Sequence, residues 1–233
     1  MAREVSSLLR GLNRTREQFQ FVGYVVTDLS RLTDRDSRAE VLGDYSWFTR
    51  NRNRVDAAIL GIGTPGSRLK VANDIRQLAP DLEWPALIHP SAILDRDTLS
   101  LGEGAFVGVG VVGTVNIVLE PFSLCNFGCT FGHEARIGRG SVINPGANIS
   151  GGVSIGDEVL VGTGAQVLQY RSVGSGATVG AGAVVTEDVP PGITVVGVPA
   201  RPVTVARSVL DEDSHWEESR TPGSNPSVLI AKK

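Results

Sequence analysis

Between Leu101 and Val185 the same side-chain character returns at every sixth residue: Leu101, Val107, Gly113, Leu119, Cys125, Phe131, Ile137, Ile143, Ile149, Ile155, Val161, Val167, Val173, Val179 and Val185. The phase holds over all fifteen positions, and Gly113 alone among them is not a sizeable apolar residue. The following position is often glycine or another turn-tolerant residue, as at Gly102, Gly108, Asn126, Gly132, Gly138, Gly156, Gly162, Gly174 and Gly180. Two places before the apolar residue stands a second small one, such as Ala105, Ala135, Ser141, Ala147, Ala165, Ala177 or Ala183. An α-helix turns every ~3.6 residues and cannot keep a six-residue beat on one face. The β-branched choices at the key position favour strand. A fixed six-residue period of this kind defines a hexapeptide β-helix, in which each rung buries what its neighbours expose.

Composition fits that reading. Aromatics make up 6% of the 233 residues while glycine occurs 28 times, which suits thin stacked rungs better than a bulky globular core. A net charge of −3 gives no electrostatic case for nucleic acid or an anionic membrane surface. Residues 1–13 lack the apolar run of a signal peptide and no stretch reaches membrane-spanning length, so the expected location is cytoplasmic, without membrane insertion. The two cysteines, Cys125 and Cys129, fall at inward phases of the repeat and read as buried, reduced fillers.

The preceding segment has a different grain. Residues 3–12 carry Val5, Leu8, Leu9 and Leu12 at helical spacing. A strand is expected at 19–27, a polar loop at 28–38 and a short helix or turn at 44–48. Residues 55–62 read as a buried parallel strand, Pro65 opens a helix running to Leu78, and 86–88 forms another short strand. Strands alternating with helices predict a small α/β unit. From about residue 206 the chain is polar, charged and aperiodic, and reads as a flexible tail.

The repeat resembles the left-handed parallel β-helix of hexapeptide acyltransferases, in which three hexapeptides close one triangular coil. The join Leu87-Ile88-His89-Pro90-Ser91-Ala92 and the later Val198-Pro199-Ala200-Arg201 resemble the hinge and end of the sugar-nucleotide acetyltransferases of sialic-acid, bacillosamine and perosamine pathways. The resemblance implies a mixed fold: a small Rossmann-like α/β domain (1–88), a left-handed β-helix (89–205) and the tail (206–233). It also implies a homotrimer.

One departure stands out. The family opens with a β-strand and a Gly-rich turn that hold the nucleotide, because bare backbone can approach phosphate closely. This chain starts inside what would be the following helix. Loss of a central strand would leave unpaired backbone groups on two neighbours. Either the start codon has been placed too late, which we favour, or the domain has repacked and lost nucleotide binding. Asp28, where the family has an acidic pair, is expected to reach a ribose or a base, or else to serve as a turn residue. Gly63 and Arg68 match nucleotide-side positions of the next loop only loosely.

Of three histidines, His89 precedes a proline in the hinge, where capping is expected, and His215 lies in the tail. His133 falls two places after the inward Phe131 and is followed at once by Glu134, with Asn126 upstream. That spacing resembles the family's catalytic histidine with its acidic neighbour and asparagine. An amine or hydroxyl attacking a thioester must lose a proton, and imidazole, which titrates near neutral pH, is an effective general base. A carboxylate beside it orients the ring or strengthens its basicity. Asn126 would hold the acceptor, and a backbone N–H near Gly151 would steady the oxyanion. The resemblance places acetyl-CoA along a groove lined by Gly151, Thr163, Gly180 and Ala181, with Pro199 and Arg201 closing over its adenine end. With both thiols inward, direct transfer in a ternary complex is simpler than an acyl-enzyme.

The function expected is acetyl transfer from acetyl-CoA to an amino or hydroxyl group of a nucleotide-linked sugar. A γ-type carbonic anhydrase shares the coil but needs three histidines on zinc, and only one lies within the repeat here, so no metal is expected. A non-catalytic binding protein remains the other alternative, kept open by the missing Gly-rich turn.

Overall fold

A computed structural model describes residues 2–15, 19–32, 38–203 and 227–232. The described residues fall into two compact units, one comprising 2–62, 71–84 and 227–232, the other Gly63–Lys70 with Pro85–Val203. This division differs from the expected boundary at residue 88, because Gly63–Lys70 groups with the coil. No helix among the described residues is long and apolar enough to cross a membrane.

The first unit is a four-stranded mixed sheet. Helix Ala2–Thr15 buries Val5, Leu8 and Leu9, the stripe expected from their spacing, and packs on the strand Ser227–Lys232. Gln20–Val26 pairs in parallel with Val41–Gly43, a strand the sequence reading missed in an otherwise polar stretch. Ala57–Leu60, buried throughout, is the strand expected within 55–62, but its ladder with Ser227–Lys232 is antiparallel, and only an isolated bridge from Ala57 to Glu83 is parallel as expected. Short helix Ser46–Asn51 and helix Pro65–Leu78 also match the expected elements closely.

Ser227–Lys232 corrects the tail expectation. It lies between Gln20–Val26 and Ala57–Leu60 and runs antiparallel to both. The register sets Val26 against Ser227 and Gln20 against Lys232 on one side, and Leu60 against Val228 and Ala57 against Ala231 on the other. Val228, Leu229, Ile230 and Ala231 are fully buried. The unpaired backbone groups expected of a sheet without its central strand are therefore not left on Gln20–Val26 and Ala57–Leu60, since Ser227–Lys232 stands between them and pairs with both. The rest of the expected tail, including His215, lies outside the described residues.

The second unit is the coil. Two-residue strands stack in register with those eighteen residues later, as in Thr130↔Asn148 and Phe131↔Ile149, and build three parallel sheets. The first sheet contains Phe106–Val107, Leu124–Cys125, Val142–Ile143, Leu160–Val161 and Thr178–Val179. The second contains Val112–Gly113, Thr130–Phe131, Asn148–Ile149, Gln166–Val167 and Val184–Val185. The third contains Ser100–Leu101, Val118–Leu119, Arg136–Ile137, Ser154–Ile155 and Ser172–Val173. Three parallel faces with a turn between each fit the left-handed β-helix of the acetyltransferases.

The sixth-residue row forms one continuous core, with side chains from Phe131 to Val185 buried. Gly113, the exception in the row, has its place filled: a Cβ there would meet Ile117 Cδ1 at 2.5 Å and Leu94 Cδ2 at 2.6 Å. Cys125 and Cys129 are buried and free, as expected of fillers. Burial pushes the Cys125 thiol well above its ordinary value and that of Cys129 up to about 11, so both stay protonated and unreactive near neutral pH. The coil begins at Leu87–Ile88, which pairs with Phe106–Val107, and ends in the antiparallel pair Thr194–Val196 and Arg201–Pro202. At its start His89 Nδ1 lies 2.7 Å from Ser91 Oγ and accepts the Ser91 N–H at 3.1 Å, the capping role expected of a hinge histidine.

Candidate active site

The turns between sheets stack into three edges, and their sequences differ. Along the edge from the first sheet to the second, the left-handed turn position is glycine on every coil: Gly110, Gly128, Gly146, Gly164 and Gly182. Along the edge from the second sheet to the third it is Asn116, Glu134, Gly152 and Tyr170. Non-glycine residues with positive φ are uncommon and concentrate where a site constrains the backbone. His133 stands on this second edge.

His133 is half-exposed, and its ring lies over the next coil at Gly151, where a Cβ would collide with the His133 Nε2 atom. Glycine at 151 is thus a packing requirement of the imidazole. Main-chain bonds fix the stack: the Gly152 N–H donates to the His133 carbonyl at 2.8 Å and the Tyr170 N–H to the Gly151 carbonyl at 3.0 Å. No acceptor for the Gly151 N–H occurs among the described residues, and Gly132, without a side chain, leaves that amide uncovered from below. Glu134 Oε2 is 3.6 Å from His133 Nδ1, within ion-pair reach yet longer than a hydrogen bond. The Tyr170 ring stands edge-to-face with the imidazole, centroids 6.4 Å apart at 62°.

The other expected residues lie elsewhere. Asn126 sits at the glycine-rich edge, one sheet away from His133, and its Oδ1 accepts the Phe127 N–H at 3.2 Å. Thr163, Gly180 and Ala181 share that edge; Thr163 and Ala181 are exposed, and Gly162 leaves the Ala181 amide uncovered as Gly132 leaves that of Gly151. One chain therefore brings Gly151, but not Thr163, Gly180 or Ala181, against its own histidine. Pro199 is exposed near the end of the coil, and Arg201 pairs with Glu187 at 3.4 Å and donates to the Ala200 carbonyl at 2.9 Å. Asp28, in the first unit, caps the short turn Leu29–Arg31, its Oδ1 accepting the Ser30 N–H at 2.8 Å and hydroxyl at 2.7 Å, which favours the turn alternative. Gly63 is exposed with open space around it.

Arg68 departs from its expected nucleotide-side place. It is fully buried in the coil unit, where its Nε donates to the carbonyl of Phe122 at 2.9 Å. Burial lowers its pKa to about 10, still charged at neutral pH. Its task is to pin the Phe122 turn, whose φ is 59°. Tyr170 was missed from the sequence; its signal was a bulky residue at a turn position that glycine holds one coil earlier.

A three-sheeted parallel coil of six-residue rungs is the architecture of acyltransferases of the hexapeptide class, to which the solved structures point. Among solved structures, the chain is 29% identical to PerB of Caulobacter crescentus, in complex with CoA and GDP-perosamine, covering 72% of this chain and 83% of that one at a TM-score of 0.68. It is 29% identical to WeeI of Acinetobacter baumannii AYE, covering 86% and 94% at a TM-score of 0.74. It is 30% identical to the acetyltransferase domain of PglB from Neisseria gonorrhoeae FA1090, covering 74% and 85% at a TM-score of 0.55. No family model and no curated protein sequence matches it. The chain belongs to the hexapeptide-repeat sugar-nucleotide acetyltransferases.

Proposed function

We propose that this protein transfers an acetyl group from acetyl-CoA to an amino or hydroxyl group of a sugar, with His133 as general base in a direct-transfer ternary complex. The observation that carries the reading is the stack at the second edge: an accessible imidazole directly above an uncommitted backbone N–H at Gly151. The acceptor attacks the thioester carbonyl carbon as His133 takes its proton. Negative charge gathering on the carbonyl oxygen meets the Gly151 N–H. The C–S bond then breaks and the thiolate leaves, recovering the proton from the imidazolium. Glu134 stabilises that imidazolium.

An amino acceptor is favoured by the similarity to a perosamine N-acetyltransferase, and a nucleotide-linked sugar by the GDP-perosamine bound to that neighbour. Thr163, Gly180 and Ala181 suit acetyl-CoA because their edge offers bare backbone to a long, flexible thioester, with Pro199 and Arg201 at its far end. Their separation from His133 in one chain supports an assembly, the homotrimer, in which the glycine-rich edge of one copy faces the histidine edge of another. Exposed apolar side chains at both edges, Val109 and Phe127 on one and Val115, Leu168 and Tyr170 on the other, give such contacts surface to bury.

The experiment is release of free CoA from acetyl-CoA in the presence of GDP-perosamine and related amino sugars, for wild type and His133→Ala. Loss of general-base catalysis is expected to lower kcat by about 10²–10⁴-fold, with acetyl-CoA affinity and assembly retained. Near-normal turnover in the variant would refute the assignment.

A further inference from the structure

Two aromatic residues of the coil stand in left-handed backbone, Phe122 at φ 59° and Tyr170 at φ 58°. That conformation is costly for a bulky L-residue, so something must hold each in place. For Phe122 the reason is burial. Its ring is wholly enclosed, it packs where a Cβ on Gly104 would stand, and Arg68 holds its carbonyl. The Tyr170 ring packs over Gly152 in the same way, yet it is 64% exposed. Burial within its own chain does not offset the strain at Tyr170.

What the ring does instead is meet His133. A centroid separation of 6.4 Å lies within the range of direct edge-to-face contact, about 4.5–7 Å, so nothing passes between the rings. His133 leans one way over Gly151, Tyr170 leans the other way over Gly152, and the two side chains converge above a floor that has none. The tyrosine thus shuts the space beside the imidazole on the side of the later coils. That space adjoins the Gly151 N–H, where the thioester carbonyl sits in the mechanism above.

We propose that Tyr170 is a specificity-determining residue that limits the transferred acyl group to acetyl, its ring admitting a methyl beside the carbonyl and turning away longer chains. The inference rests on the acyl-transfer reading of His133 and goes beyond it by fixing acyl length.

Calorimetric titration with free CoA, acetyl-CoA, propionyl-CoA and butyryl-CoA tests this without knowledge of the acceptor. Tyr170→Gly removes the ring at a φ that glycine adopts freely, and Tyr170→Asn supplies a second small residue tolerant of left-handed backbone. In both variants butyryl-CoA is expected to gain 10-fold or more in affinity relative to acetyl-CoA, the scale on which pockets discriminate single methylenes. Free CoA is expected to bind all forms alike, and Tyr170→Phe to keep the wild-type preference. A chain-length profile unchanged in Tyr170→Gly and Tyr170→Asn overturns the assignment while leaving the transferase reading intact. Failure of wild type to bind any of the four ligands overturns both.

Discussion

At the scale of single residues, the site depends as much on what is missing as on what is present. A methyl group at 151 would occupy the place of the His133 imidazole, so Gly151→Ala is expected to tilt the ring and lower kcat by on the order of 10²-fold, the usual result of displacing a catalytic group by about an ångström. The check is kcat against KM for acetyl-CoA with thermal melting in parallel, since a drop caused by misfolding would lower the melting temperature as well. The thiols make the opposite case. Because burial raises both and shields both, Cys125 and Cys129 are expected to resist Ellman's reagent at pH 8 until the coil is unfolded; prompt labelling of the native protein would contradict an inert filler role. His133 was legible in the sequence because its two-place offset from an inward residue fixes it on an edge. Arg68 was not, since a charge next to a loop glycine looks like a ligand contact until the fold carries it to a carbonyl 54 residues away in the chain. Arg201 shows the same limit: its partner Glu187 is local in space but belongs to another turn of the coil.

At the scale of elements, the coil could be read almost completely and the sheet of the first unit only in part. A six-residue beat is self-reporting, since each rung repeats the evidence of the last. Ser227–Lys232 had a local signal too, the apolar run Val228-Leu229-Ile230-Ala231 bounded by Pro226 and lysines. That run is short and follows a long polar stretch, and nothing nearby says that its partners lie some 170 to 210 residues earlier. Tertiary pairing decided it, as it commonly does for strands. The energetic weight is large. Full burial of Val228, Leu229 and Ile230 stabilises by roughly 1.5–3 kcal/mol each. The sum, about 5–9 kcal/mol before the hydrogen bonds to both neighbours, compares with ~5–15 kcal/mol for a whole domain. Deleting residues 227–233 is therefore expected to unfold the first unit, seen as loss of amide protection in Gln20–Val26 and Ala57–Leu60 by hydrogen exchange. Protection in the coil sheets, which take no rung from this strand, is expected to persist. Ile230→Pro, which removes one central ladder donor, is expected to act in the same direction with a smaller effect. Unchanged protection after the deletion would show that the strand is an ornament of the sheet rather than its centre.

At the scale of the whole molecule, the proposed function requires residues on two different edges to serve one reaction. A six-residue beat fixes which residues share an edge but not which edges meet; only the resemblance, which implies a trimer with the His133 ring in a groove between neighbouring copies, speaks to that. Within one chain, the sheet containing Thr130–Phe131 separates Asn126, Thr163 and Ala181 from His133, Gly151 and Tyr170. If each site forms between copies, two inactive variants can repair one another. His133→Ala spoils only the histidine edge, and Ala181→Trp, at an exposed turn, obstructs only the glycine-rich edge. In a cyclic trimer assembled at random from equal amounts of the two, about one interface in four joins an intact histidine edge to an intact facing edge. Co-expression under two different tags, followed by isolation of doubly tagged assemblies, is therefore expected to yield on the order of a quarter of wild-type activity or somewhat more, because the doubly tagged fraction excludes uniform trimers. Neither parent alone reaches that level, and the recovered activity must vanish when both substitutions are placed in the same chain and mixed with itself. Doubly tagged assemblies of correct size that stay as inactive as the parents would overturn the shared site and leave His133 without a role for the glycine-rich edge of a neighbouring copy.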